Sequence, residues 1–215
     1  MLFVLIFGLS TEGQIRHEKE PYCTENGTRR VEIADGDATI LGLGIGLSSL
    51  EDVQAVLGKS ESVRVSKEEE SDIALCYVLP ADGTLLIFYS GSMGGWKDVT
   101  SFSLWSQGTT PPGSQECVRS AKVSRSLSTK SGLKLGLTEQ EVREIAGEPT
   151  SRDRSSVKYD YMCRRKMTDE EINGFKTANN WDVKDDPYFD KTSWIEVRFN
   201  AGTASHIEVG RIESY

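Results

Sequence analysis

The side chains with chemistry to offer in this 215-residue chain are few: four cysteines, Cys23, Cys76, Cys117 and Cys163, and two histidines, His17 and His206. Two imidazoles leave little scope for histidine-based catalysis or metal binding. A hydrolytic triad needs a nucleophile, a base and an orienting group that converge. No nucleophile-elbow motif is present, and His206 falls in the strand-like segment Ser205–Ile212, where an ordinary sheet-face role is expected. Gly42-Leu-Gly-Ile-Gly46 is glycine-rich ahead of a helix, but a phosphate cradle needs Gly-x-Gly-x-x-Gly after a parallel strand. No cofactor or metal is expected from these motifs.

The strongest binding signal lies between Arg164 and Lys191. Thr168-Asp-Glu-Glu171 is a capping box that opens a short helix through Phe175. From Thr168 to Asp190 there are seven acids and two lysines, with Trp181, Tyr188 and Phe189 among them. Tyrosine and tryptophan are preferred anchors of protein interfaces, and long insertions in compact domains are often functional. Beside a plainly solvated loop, two readings arise. One is a protein-binding loop using Trp181, Tyr188 and Phe189, with Trp194 on the sheet beyond. The other is a Ca²⁺ loop using Asp182, Asp185, Asp186 and Asp190, whose spacing does not match the EF-hand.

Composition narrows the classes. Asp+Glu number 33 against 25 Lys+Arg, giving a formal charge of −8, and 37% of residues are hydrophobic. That is globular, and a poor match to a nucleic-acid or anionic-membrane binder. From Arg119 to Lys166 twelve bases face six acids, but they are scattered and lack interleaved aromatics, so nucleic acid is not expected. The acidic run Glu68–Asp72 reads as a solvated loop. Asn26-Gly-Thr28 is a glycosylation sequon with meaning only in a eukaryotic secretory route.

Leu2–Leu9 is an apolar run too short to span a bilayer, with the length of a secretory h-region. Residues 1–13 are read as a signal peptide, with Gln14 as the mature start, although no Lys or Arg precedes the run. Cys23 follows Lys-Glu-Pro-Tyr, so a lipid anchor is not expected there. Four cysteines in an exported chain suggest two disulfides.

Two segments match internally. Gly46-Leu-Ser-Ser-Leu-Glu-Asp-Val-Gln-Ala-Val-Leu-Gly58 and Gly136-Leu-Thr-Glu-Gln-Glu-Val-Arg-Glu-Ile-Ala-Gly147 each read as a capped amphipathic helix ended by glycine. Thr138 with Glu141 forms a capping box; Ser49 with Asp52 is the weaker counterpart. Strand-like segments follow each helix: Asp72–Leu79, Thr84–Ser90 and Val99–Trp105, then Val157–Cys163, Ser193–Asn200 and Ser205–Ile212. The expected fold is α+β, two tandem repeats, each a short helical layer on a three- to four-stranded antiparallel meander. They span residues 14–110 and 111–215, the second with an insertion at about 164–191. Cysteines at equivalent places in such a repeat predict Cys23–Cys76 and Cys117–Cys163.

The pattern Gly136-Leu-Thr-x-x-Glu-Val-x-x-Ile-x-Gly-Glu-Pro-Thr150 resembles the start of SmpA/OmlA-type domains of bacterial cell envelopes. Two such units in tandem look like β-lactamase inhibitory proteins. The resemblance covers about a dozen residues per repeat and implies architecture: a helical layer on a short antiparallel sheet, without catalysis. It implies an exported protein-binding module, secreted or periplasmic, whose specific version is inhibition of an extracellular enzyme. The alternatives are a small carboxylate-dependent extracellular enzyme, which needs two carboxyls with divergent environments, and a structural component of envelope assembly.

Overall fold

The computed structural model describes Cys23 and residues 31–64, 72–107, 117–179 and 187–214. The signal segment, the sequon, Trp181 and the acids Asp182, Asp185 and Asp186 lie outside the described residues.

The first part of the chain forms β1 (Thr39–Ile40), β2 (Leu43–Gly44), α1 (Leu50–Leu57), β3 (Val63–Arg64), β4 (Ile73–Leu79), β5 (Thr84–Ser90) and β6 (Ser101–Trp105). The second part forms β7 (Val118–Arg119), α2 (Glu139–Ala146), β8 (Ser151–Arg152), β9 (Ser156–Lys166), α3 (Asp169–Asn179), β10 (Tyr188–Asn200) and β11 (Thr203–Ser214). The architecture is α+β. One mixed sheet runs β3-β4-β5-β6-β11-β10-β9-β8, with β7 parallel to β4, and β1 and β2 form a separate small ribbon. The two meanders therefore join edge to edge through β6 and β11, where Trp105 pairs with His206 and Ser101 with Gly210.

Both helices start as their sequences require. The Asp52 amide donates to Ser49 Oγ and the Ser49 amide to Asp52 Oδ2; Thr138 and Glu141 repeat the exchange. The Ser49 box is as complete as the Thr138 one. Gly58 and Gly147 end the helices with positive φ of 102° and 87° and extended ψ of 162° and −159°. That region is essentially open to glycine alone. Buried tyrosines close each helix: the Tyr77 hydroxyl donates to the Gly58 carbonyl at 2.9 Å and the Tyr159 hydroxyl to the Gly147 carbonyl at 3.1 Å.

Strand alternation then decides which face is covered. Leu75, Tyr77, Leu86, Phe88, Phe102 and Leu104 point to the helices, as do Val157, Tyr159, Ile195, Val197, Ile207 and Val209. Leu50, Val53 and Leu57 of α1 and Val142 and Ala146 of α2 complete this core. The upstream segments also meet: Ile40 bridges Thr129, and the Lys130 amide donates to the Thr39 carbonyl.

The disulfides correct the expected pairing. Cys23 joins Cys163, and Cys76 joins Cys117. The reason is strand parity. Cys76 is next to Tyr77 and so points away from the helices, whereas Cys163 is four residues after Tyr159 and shares its face. The two cysteines fall in corresponding strands but are not equivalent. Cys117 runs in just before β7, beside β4, within reach of Cys76; the Cys23 amide donates to the Arg164 carbonyl, beside Cys163.

A candidate interaction face on the sheet

The sheet face turned away from α1 and α2 carries the side chains of opposite parity. In the first half these are Ala74, Cys76, Leu85 and Ile87, a buried apolar cluster against which Val78, Tyr89, Trp105 and Cys117 pack. In the second half they include Lys158, Trp194, Glu196, Arg198 and Glu208, none of them fully buried.

Polar atoms tie this face together. Trp105 Nε1 donates to Ser103 Oγ at 2.8 Å, and the Tyr89 hydroxyl shares a hydrogen bond with the same Oγ at 3.1 Å. Trp194 Nε1 donates to Glu208 Oε1 at 3.0 Å. The Trp194 ring lies flat on Gly210, where a side-chain carbon would stand 2.0 Å from Cζ2. Only glycine permits so close an approach of ring to backbone. Glu196 sits between Arg198 Nε at 2.6 Å and Lys158 Nζ at 3.2 Å. Burial works to raise its pKa, but the hydrogen bonds from Arg198 and Lys158 prevail and hold it below the ordinary value.

His206 is on this face, as expected for a sheet residue, but it is not ordinary. It is 1% exposed, and neither ring nitrogen has a hydrogen-bond partner among the described residues. Trp105 stacks over it with ring centroids 3.8 Å apart. Burial and the nearby Arg198 charge push its pKa down to about 4, against the opposing pull of Glu196. The imidazole is therefore a neutral filler under an indole.

Toward β6 the face dips into a depression of about 380 Å³ whose lining includes Asp72, Tyr89, Met93, Trp194, Glu208 and Ile212. Burial raises the Asp72 carboxyl above its ordinary value. Burial also raises the Tyr89 hydroxyl, opposed by its bond to Ser103 and reinforced by the negative charges of Glu208 and Asp72. Among the described residues no group of three or more His, Cys, Asp or Glu is placed to hold a metal ion, and no helix is long and apolar enough to cross a membrane.

Of the anchors foreseen in the sequence, Trp194 is on this face. Tyr188 and Phe189 belong to the start of β10, not to a loop, and neighbouring strand residues point to opposite sides. Arg164 lies over the Tyr188 ring at 5.0 Å. Arg165 lies over the Phe189 ring at 4.9 Å, and Phe175 packs against Phe189 at 5.8 Å between centroids. Arg165 also pairs with Glu171 at 2.9 Å and Glu213 at 2.8 Å, and Glu171, held by Arg165 and the Thr168 cap, drops to about 2. The expected capping box of α3 is thus present and its helix folds back on the hairpin. Asp190 pairs with Arg164 at 3.1 Å.

Tyr89, Ser103, Trp105 and Glu208 had no individual signal in the sequence. Each sits in a segment read as a strand; the pairing of β5 with β6 sets Tyr89 beside Ser103 and Trp105, and the pairing of β6 with β11 adds Glu208. No protein-family model, curated protein or solved structure matches this chain.

Proposed function

We propose that this protein is an exported, non-catalytic protein-binding module of two tandem helix-plus-meander repeats, similar in plan to SmpA/OmlA-type and β-lactamase inhibitory domains. The observation that carries the reading is the outer sheet face, where Tyr89, Trp105 and Trp194 are held by Ser103 and Glu208. Aromatic side chains fixed before binding lose little further freedom on association, and such residues dominate interface energetics. The duplication is supported by the palindromic strand order, the paired capping boxes and the matching Tyr77 and Tyr159 contacts. Two disulfides favour an oxidising compartment, hence secretion or the periplasm. Inhibition of an extracellular enzyme is the specific form of this function.

Affinity capture from envelope extract and culture medium, with the disulfide-bonded chain as bait, tests the reading. A partner should bind the wild type and lose about 2 kcal/mol, roughly 30-fold, with Trp105→Ala and Trp194→Ala combined. A partner that binds the double variant undiminished would place the interface elsewhere.

A further inference from the structure

The depression between β5, β6, β11 and β10 has a composition that selects its guest. Tyr89 and Trp194 supply aromatic wall, and Met93, 56% exposed, stands at its rim. Asp72 and Glu208 supply two carboxylates, and no lysine, arginine or histidine is in the lining. Neither carboxylate has an ion-pair partner among the described residues. Glu208 uses Oε1 to accept from the Trp194 indole, which fixes the carboxylate and leaves Oε2 for another donor. The cations nearby are already engaged in the adjoining depression: Arg211 with Asp35 at 3.0 Å and Lys191 with Glu32 at 2.6 Å. On the other side, Lys158 and Arg198 are both committed to Glu196.

We infer that this pocket receives an arginine side chain presented by the protein partner. The inference rests on the protein-binding reading of the sheet face and names what that face recognises. A guanidinium is planar, stacks on aromatic rings and offers several donors in a fixed fork, so one group can use both walls and carboxylates. An ammonium is a compact, strongly hydrated charge and gains less from an aromatic wall. A neutral or anionic guest would leave the negative charges of Asp72 and Glu208, both of which act on Tyr89, without compensation.

The test titrates the full, disulfide-bonded, ¹⁵N-labelled chain with the capped tripeptide acetyl-Gly-Arg-Gly-amide, and with versions carrying citrulline or lysine instead. Citrulline keeps the shape and loses the charge. The arginine peptide should give saturable shifts centred on the Trp194 indole N–H and the amides of Tyr89, Ser101 and Glu208. The citrulline peptide should bind at least about tenfold more weakly, and Glu208→Gln should weaken the arginine peptide by about fivefold or more. Equal binding of arginine and citrulline, equal binding of lysine, shifts centred elsewhere, or no saturable shift up to about 20 mM would each overturn the assignment. The wild-type titrations alone decide between peptides, so the result does not depend on a variant folding. Capture of the partner separates the two ideas. If Trp105→Ala weakens capture and Glu208→Gln does not, the pocket assignment falls and the interface stands. If the arginine peptide binds as described while Trp105→Ala with Trp194→Ala leaves capture intact, the pocket stands and the interface falls.

Discussion

Tyr77 and Tyr159 occupy the same place in the two halves of the sheet, one strand after the helix whose last carbonyl each binds. Aligned on these tyrosines, the inner face matches pair by pair through the strand register: Leu75 with Val157, Leu86 with Ile195, Phe88 with Val197, Phe102 with Ile207, Leu104 with Val209. Every one of these is buried and apolar. On the outer face the same alignment gives Cys76 opposite Lys158, Leu85 opposite Trp194, Ile87 opposite Glu196, Tyr89 opposite Arg198, Ser103 opposite Glu208 and Trp105 opposite Gly210. Nothing there corresponds. A face pressed on a helical layer must keep volume and apolarity, because cavities and buried polar groups are costly. The outer face carries neither α1 nor α2 and is not held to one pattern: its first half is a buried apolar cluster, its second a partly exposed polar one. The difference assigns architecture to the inner face and agrees with the proposal that recognition belongs to the outer one.

The disulfides give the largest way to break this picture. Cys76–Cys117 spans 41 residues and lies on the divergent face, and Cys23–Cys163 spans 140 and is anchored on the conformed one. In the chain-entropy model, losing the first should cost about 4 kcal/mol and losing the second almost ~5 kcal/mol. Denaturation of the Cys76→Ala/Cys117→Ala and Cys23→Ala/Cys163→Ala pairs measures this, and non-reducing peptide mapping checks the connectivity. Recovery of Cys23 linked to Cys76 would restore the equivalence that strand parity rejects.

His206 distinguishes the halves next, because its counterpart is Ser101, which does not titrate. Above pH ~6.5 the imidazole is neutral whether folded or unfolded, and its contribution to stability is fully present. As pH falls below that, the unfolded chain takes up a proton that the folded chain refuses until about 4. Stability should therefore decline between pH 6.5 and 4, by on the order of 3 kcal/mol. His206→Ser, which copies the first half, should lower stability at pH 7 by leaving space under Trp105 but remove this slope. An unchanged slope in urea titrations of the variant would assign the acid sensitivity to other groups.

The two tyrosines test the sameness of the inner face. Tyr77→Phe and Tyr159→Phe each leave a helix-terminal carbonyl without its donor, at a cost of about 1 kcal/mol each, measured by thermal or chemical denaturation. Costs that differ by more than ~1 kcal/mol would show that the halves are alike in geometry but not in energetics.

The smallest expected change in stability belongs to Arg198→Ala, within about 0.5 kcal/mol, since Arg198 is exposed and Glu196 keeps Lys158 as a partner. Its informative readout is the neighbour: with the cation gone, the His206 pKa should rise, followed by the imidazole proton shifts. A fixed His206 pKa would mean that burial alone holds it down.

Much of this protein is determined locally and was legible in its chain. Ser49 with Asp52, Thr138 with Glu141 and Thr168 with Glu171 specify three helix starts because a capping box is satisfied within four residues. The alternation in Trp194–Phe199 specifies a two-faced strand: Ile195 and Val197 are buried, and Trp194, Glu196 and Arg198 are not. The turn at Asn200–Thr203 is a hairpin with positive φ at Ala201 and Gly202, as its length demands. What the chain could not state is anything that depends on which strands meet. The β6–β11 junction joins residues about a hundred positions apart, and it alone assembles Trp105 over His206 and brings Trp194 and Glu208 to Tyr89. Disulfide partners follow the same rule: a cysteine's strand is a local property, but its face and neighbours are set by register. Tyr188 and Phe189 make the converse point, since an acidic, aromatic stretch that reads as a loop becomes the start of β10 once β9 pairs with it through Lys166. Local hydrogen bonds and alternation are written along the chain, whereas a binding face is made from several strands at once and is fixed only when the sheet closes.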